Sequence, residues 1–273
     1  MQHQMSPDEK ALLDAARDGD ATAVEQCILR HTDTNCTLDL TDMSCIRSGY
    51  DVEDDDDRMG GSTPLHVACF NGGVAVAHLL LDNGADANLM NDYGHRPMDV
   101  AAENGHLDLV RLLLENGADP NEGYGPKGNG PLSTAAENAY NLSPVDALAY
   151  ATLLIEHKAD VNKIQYTETA LHEAVRSREV DIIKLLIASA ADVNIKGLEH
   201  GGTALHMAMY GSGDSIVRNT TAVEIVSLLL QAGGDRDAID GSGHFGGREG
   251  KTAAGVAEEN GHEEALALLR AET

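Results

Sequence analysis

The sequence predicts an all-α fold made by stacking short helix pairs along the chain, and three observations predict it. A hexapeptide first seen as Thr63-Pro64-Leu65-His66-Val67-Ala68 returns at near-regular intervals. A triplet rich in leucine follows five of its copies, as in Leu79-Leu80-Leu81. The composition argues against one thick core, because Trp is absent and aromatics are 3% of residues while hydrophobic residues reach 42%. Small and aliphatic side chains suit thin helices packed in layers, each layer covering its neighbour's apolar side.

The hexapeptide recurs as Arg96-Pro97-Met98-Asp99-Val100-Ala101, Gly130-Pro131-Leu132-Ser133-Thr134-Ala135, Thr169-Ala170-Leu171-His172-Glu173-Ala174 and Thr203-Ala204-Leu205-His206-Met207-Ala208. A degraded copy is Thr252-Ala253-Ala254-Gly255-Val256-Ala257. First positions are separated by 33 (63 to 96), 34 (96 to 130), 39 (130 to 169), 34 (169 to 203) and 49 (203 to 252) residues. Thr before Pro is a helix start: the hydroxyl caps free amides, and Pro takes a first-turn position where its missing N–H costs nothing. A period near 33 carrying this hexapeptide resembles the ankyrin repeat, a turn plus two helices per unit. The resemblance covers most of the chain and implies an ankyrin-repeat solenoid of stacked helix-turn-helix units with hairpin fingers.

Each unit is then justified in order. Residues 6–35 form an N-terminal capping repeat, with Ala11 to Asp20 as first helix and turn and Ala23 to Leu29 as second helix. Residues 62–249 hold five internal repeats, and residues 250–273 form a C-terminal cap whose Glu258, Glu259, Glu263 and Glu264 face water. The whole, 1–273, reads as a single domain of seven repeats. The second helices carry Leu79-Leu80-Leu81, Leu112-Leu113-Leu114, Leu153-Leu154-Ile155, Leu185-Leu186-Ile187 and Leu228-Leu229-Leu230. Gly84 and Gly117 end two of them at the left-handed position past the helix. Lys158 and Ala190 stand at that position in two others, which predicts local strain of roughly 1–2 kcal/mol. Departures from the period mark insertions at 36–61, 139–145, 211–220 and 238–250. The first carries the acidic run Asp51-Val52-Glu53-Asp54-Asp55-Asp56-Asp57 and is expected to loop out. The last is Gly-rich and extends a finger.

Charge bounds the partner. Lys and Arg number 19 against 45 Asp and Glu, a formal net charge of −26. Such a chain repels nucleic-acid phosphates and anionic membrane surfaces, and it favours a basic protein or simple solubility. The four cysteines, Cys27, Cys36, Cys45 and Cys69, form no CxxC pair, and Met1-Gln2-His3-Gln4-Met5 leads into polar residues with no secretory signature. No apolar run approaches the ~20 residues that span a bilayer. A cytoplasmic protein follows, a nuclear one being equally compatible, and a monomer is expected.

Four motifs invite chemistry and each has a structural alternative. Gly246-Gly247-Arg248-Glu249-Gly250-Lys251-Thr252 looks like a phosphate loop, but position 245 is Phe where the motif needs Gly, and no preceding strand is expected. Gly250 and Thr252 fit the opening of a repeat instead. His66, His172 and His206 sit one per layer with no ligand-spaced partner, and the resemblance implies a buried structural donor between adjacent units. Asp99 and Ser133 replace that His in two repeats, so those layers need another hydrogen-bonding solution. Cys27, His31, Cys36 and Cys45 do not follow any zinc-finger spacing, and the Asp54–Asp57 run lacks the Gly-containing pattern of a calcium loop. No metal and no cofactor is expected. In Asp86-Ala87-Asn88, Asp119-Pro120-Asn121, Asp160-Val161-Asn162 and Asp192-Val193-Asn194, short polar side chains are expected to bond local backbone and hold the turns. The resemblance also allows hydroxylation of such asparagines.

The resemblance implies binding through finger tips and the exposed side of the first helices, a concave surface. The tip positions are Asp92, Tyr93, His95, Tyr124, Lys127, Tyr166 and Glu168; the first-helix positions are Phe70, Asn71, Glu103, Asn104, Glu137, Arg176 and Tyr210. Aromatics beside carboxylates make an interface, although a tip tyrosine also packs on its neighbour. No nucleophile–base pair, carboxylate dyad or complete phosphate loop is present, so an enzyme is not expected. Two functions stay open: a non-catalytic scaffold or adaptor that binds a protein on this surface, and an acidic stoichiometric inhibitor or immunity-type protein that masks a basic one.

Overall fold

A computed structural model describes residues 6–30, 32–36, 60–123, 130–137, 142–198, 201–210, 216–241 and 250–271. The described chain is all-α, its only β features being isolated bridges at Gln165–Glu168 and Ile239–Thr252. It divides into two compact units, Met1–Lys127 and Gly128–Thr273.

The first unit contains α1 (Pro7–Arg17), α2 (Ala21–Leu29), α3 (Pro64–Phe70), α4 (Val74–Asp82), α5 (Pro97–Glu103) and α6 (Leu107–Glu115). Within it α1, α3 and α5 pack in succession, as do α2, α4 and α6. The second unit contains α7 (Pro131–Glu137), α8 (Pro144–Glu156), α9 (Ala170–Ser177), α10 (Val180–Ala188), α11 (Ala204–Ala208), α12 (Ile216–Gln231), α13 (Ala253–Asn260) and α14 (Glu263–Arg270). There α7, α9, α11 and α13 form one row and α8, α10, α12 and α14 the other. Most of the acidic insertion and the Gly-rich finger lie outside the described residues. Part of the other two insertions is helical: α8 has 13 residues and α12 has 16, against 9 in α4, α6 and α10.

Burial follows a helical period. Leu80, Leu113, Leu154, Leu186 and Leu229 are fully buried in the second helices, and Val76, Leu109, Tyr150, Ile182 and Ile225 sit four residues earlier on the same stripe. Each leucine contributes roughly 1.5–3 kcal/mol, and only because the next pair covers it. The helices end as the sequence predicts. Gly84, Gly117 and Gly233 have φ +89°, while Lys158 and Ala190 adopt the same left-handed turn at +71° and +65°. Ala159 N–H bonds Leu154 O at 2.9 Å, as Ala85 N–H bonds Leu80 O, so the turn is kept despite the missing glycine.

Two bonding systems couple neighbouring pairs. In the first, the Thr63 amide donates to His66 Nδ1 at 3.1 Å while His66 Nε2 lies 3.0 Å from His95 O in the next finger. A carbonyl only accepts, so Nε2 carries the proton. His172 and His206 repeat this toward Gly202 O and Lys251 O. Burial holds all three below the usual histidine range, His66 at about 4, and keeps them neutral. Where Asp99 replaces His, Arg96 replaces Thr. Its guanidinium binds both Asp99 oxygens, at 3.1 and 3.3 Å, and reaches Asp119 O and Glu122 O. Arg96 thereby makes the inter-repeat bonds that His makes elsewhere, with 1% exposure.

The second system corrects the expectation for the Asp-x-Asn triplets. The aspartates do hold local turns, Asp86 Oδ1 accepting from Asn88 N–H at 2.8 Å. Asn88 instead reaches the following repeat: its Nδ2 donates to Gly117 O at 2.9 Å and its Oδ1 accepts from Asp119 N–H at 2.8 Å. Asn35, Asn162 and Asn194 do the same. An amide carries donor and acceptor together, which a local turn needs only one of.

Candidate protein-binding surface

In the first unit the predicted residues lie at the ends of α3 and α5 and on the finger before α5. Phe70 is half-buried and its carbonyl faces His106 Nε2 at 3.3 Å. Asn71 caps α3 and donates to Arg17 O at 3.2 Å, so its amide joins two helix pairs. Asn104 caps α5 and donates back to Val100 O. The finger turns at Asn91, whose Oδ1 accepts from the amides of Tyr93 and His95, and Gly94 closes the turn at φ +76°. That geometry leaves Asp92 and Tyr93 outward, Tyr93 at 38% exposure. His95 folds back to within 4.0 Å of Glu103.

Tyr124 and Lys127 lie outside the described residues. So do His31 and Cys45 of the cysteine–histidine group and most of the phosphate-loop-like segment. Cys27, Cys36 and Cys69 are free and buried, and burial pushes the Cys36 thiol up to about 12. Among the described residues no group of His, Cys, Asp or Glu could hold a metal ion. Thr252 is the N-cap of α13, its hydroxyl accepting from Gly255 N–H at 3.2 Å.

In the second unit the finger before α9 is one residue shorter: Asn162 to Thr169 spans 7 positions (169 − 162), whereas Asn88 to Arg96 spans 8 (96 − 88). Gln165 and Glu168 therefore exchange both backbone bonds, at 3.0 and 3.2 Å, around a two-residue turn. Such a turn demands a positive φ, and Tyr166 supplies it at +56° with 64% exposure. Glu168 is not on the tip, contrary to expectation, but 2% exposed at the finger's base. There the Arg176 guanidinium pairs with Glu168 and, at 2.8 Å, with Glu173. Burial pushes Glu173 up to about 7; Arg176 pulls it down, and Glu137 and Glu168 push it further up. Tyr210 is half-buried and donates to Asp240 Oδ2 at 3.4 Å; burial and that carboxylate raise it to about 12.

Sequence reasoning missed the aliphatic tips. Ile164, Leu198 and Ile239 are 39%, 67% and 51% exposed, as is Met90 at 45% in the first unit. The signal was present, since Met90, Ile164 and Ile239 each follow Asn88, Asn162 or Asp237 by two residues. In the second unit exposed Tyr166 and Leu198 stand beside the Glu168–Arg176–Glu173 ion pairs. Among the described residues no helix is long and apolar enough to cross a membrane.

The family model described as "Ankyrin repeats (3 copies)" matches residues 12–124 and 122–197, and that described as "Ankyrin repeat" matches 200–241. The crystal structure of the human ASB11 ankyrin repeat domain is similar in fold, with a TM-score of 0.64 at 24% identity over 98% of this chain and 100% of that one.

Proposed function

Because the chain belongs to the ankyrin repeat family, we propose that it is a non-catalytic scaffold or adaptor that binds a partner protein on its finger tips and the adjoining ends of its first helices. The observation that carries this reading is the exposure of Tyr93 and Tyr166 on turns whose backbone holds them outward. Large rigid side chains presented to solvent beside carboxylates are the usual anchors of an interface. The net charge of −26 favours a basic partner and opposes nucleic acid and anionic membranes. Free Cys27, Cys36 and Cys69 suit a reducing compartment such as the cytoplasm or nucleus.

The test is affinity capture with the full chain and with Tyr93→Ala combined with Tyr166→Ala. Loss of the captured protein supports the surface; retention of every partner by the double variant removes it. The second reading, an acidic inhibitor that masks a basic surface, is favoured by the same charge excess. It requires affinity to fall steeply with salt, and salt-independent binding dismisses it.

A further inference from the structure

We infer that the layer formed by α7 and α9 is a proton-dependent latch. One proton held on Glu173 leaves the Arg176 guanidinium to clamp Glu168, which fixes the base of the finger that carries Tyr166. Loss of that proton divides Arg176 between two charged groups and loosens the finger. The latch belongs to the free protein and does not depend on what binds the finger.

The first argument is register. Glu173 occupies the hexapeptide position held elsewhere by Val67, Val100, Thr134 and Met207, which are 3%, 3%, 1% and 7% exposed. The fold fills that position with buried, uncharged side chains, and the protonated acid is the form of Glu173 that matches them. The Glu173 side chain is 12% exposed, so ionisation puts a charge where little water reaches. Glu168 stands immediately before Thr169, where Ser62 and Gly202 are found in other repeats, and is itself 2% exposed. One layer therefore turns two carboxyl groups inward.

The second argument is the charge around them. Arg176 Nη1 lies 2.8 Å from Glu173 Oε2 and Nη2 3.2 Å from Glu173 Oε1, while Nη2 also pairs with Glu168. From α7 comes Glu137, whose carbonyl accepts from the Ser177 hydroxyl of α9 at 3.4 Å. Three carboxyl groups thus act on one another around a single guanidinium. The other titratable groups packed on this layer do not balance them. On α9 itself His172 is neutral, its Nε2 proton committed to Gly202 O, and His206 of α11 is likewise neutral and bonded to Lys251 O. Tyr210, after α11, donates to Asp240. Asp181 and Lys184 of α10 are exposed, and Lys184 is taken by Glu224 of α12 at 3.0 Å. Arg178 and Glu179, in the turn into α10, carry opposite charges. Lys163 and Lys196, in the two adjoining fingers, are exposed, and Lys196 bonds Ile239 O. One proton relieves the excess, and burial directs it to Glu173, which is pushed up to about 7 from an ordinary 4.5. The clamp has reach because Glu168 exchanges backbone bonds with Gln165 around the Tyr166 turn, and Thr167 O accepts from Leu198 N–H at 2.7 Å.

A carboxyl held above its ordinary value stabilises the fold fully below pH 4.5 and loses that effect as pH rises through about 7. Between pH 6 and pH 8, opening of the layer around Glu173 should therefore become about tenfold easier. NMR on the full chain tests this, with hydrogen exchange at the Glu168 amide expressed relative to the unfolded chain at the same pH, and with the Glu173 side-chain carboxyl carbon titrated. The wild type is expected to lose about tenfold protection at Glu168 from pH 6 to pH 8, and Glu173 to titrate near 7. Glu173→Gln, which keeps the shape of the neutral acid, should hold at pH 8 the protection that the wild type shows at pH 6. Glu263→Gln, exposed on α14, should keep the wild-type pH dependence. His66, His172 and His206 are present in every variant and drop out of the comparison. Titration of Glu173 near 4.5, or an equal pH response in the wild type and Glu173→Gln, overturns the inference. Should Glu173→Gln fail to fold, the Glu173 titration in the wild type decides alone.

Discussion

Acid should loosen the first unit through His66, and the size of the effect follows from its burial. His66 is 0% exposed, its Nε2 proton is committed to His95 O, and Nδ1 accepts from Thr63. Protonation of Nδ1 breaks that acceptor and places a charge where no water reaches. The ring is held at about 4 in the fold against an ordinary value of 6.5. A depressed histidine is protonated in the unfolded chain first, so its stabilising effect is complete above pH 6.5 and is lost as pH falls toward 4. Integrating over that shift gives a loss of about 2 kcal/mol between pH 7 and pH 5. The assay is urea denaturation followed by far-ultraviolet circular dichroism at both pH values, for the wild type and His66→Gln. The variant starts less stable but lacks this titration, so the wild type should lose about 2 kcal/mol more than the variant on acidification. His172, His206 and the opposing Glu173, which is raised and gains stability as pH falls below about 7, are present in both proteins and cancel. Equal losses in the two proteins, or an NMR titration of the His66 ring near 6.5, would refute the reasoning.

Three further outcomes are expected. Lys158→Gly and Ala190→Gly each relieve a left-handed residue and should raise unfolding stability by about 1 kcal/mol in urea, whereas Gly84→Ala should lower it. Arg96→Ala strands a fully buried Asp99 and should cost about 3–5 kcal/mol by thermal unfolding; Arg96→Thr with Asp99→His, which copies Thr63 and His66, should recover most of that. Asn88→Ala removes both bonds to the next repeat and should cost about 1–3 kcal/mol, with faster hydrogen exchange at the Asp119 amide.

The fold was legible because it is dictated locally and then repeated. Thr63-Pro64 starts a helix by capping and ring geometry, Gly84 ends one by its freedom at positive φ, and a leucine stripe between them has one way to be buried. The strain at Lys158 and Ala190 could be read for the same reason: a local rule was broken and the neighbouring pattern was intact. The inter-repeat bonds were less legible because they link atoms about 30 residues apart, and a sequence pattern does not say whether Asn88 turns to its own loop or to Gly117. The Arg96–Asp99 pair shows the boundary. Both departures from the hexapeptide are visible, but that one guanidinium satisfies Asp99 and two carbonyls of the following finger depends on the layer spacing.

The candidate site was read more poorly, and the reason is physical. In a repeat array the informative residue is the one that violates its register, not the one that belongs to a favoured class. Repeat position points to exposed Tyr93 and Tyr166 but not to exposed Leu198. It also points to Glu168 as a tip residue, because a full-length finger would carry that position outward and this one is a residue short. The shortened turn connects these errors: removing one residue between Asn162 and Thr169 forces Tyr166 to positive φ, draws Glu168 to 2% exposure and sets it on Arg176 beside Glu173. Restoring the missing residue, by inserting a glycine after Tyr166, should relax the turn and return Glu168 toward solvent. Hydrogen exchange at the Glu168 amide should then speed up, while the stacking of α9 on α7 and α11, which rests on buried Leu171 and Ala174, persists with an unchanged circular dichroism spectrum. An amide that exchanges as slowly in the inserted chain would mean that the short finger is not what draws Glu168 inward.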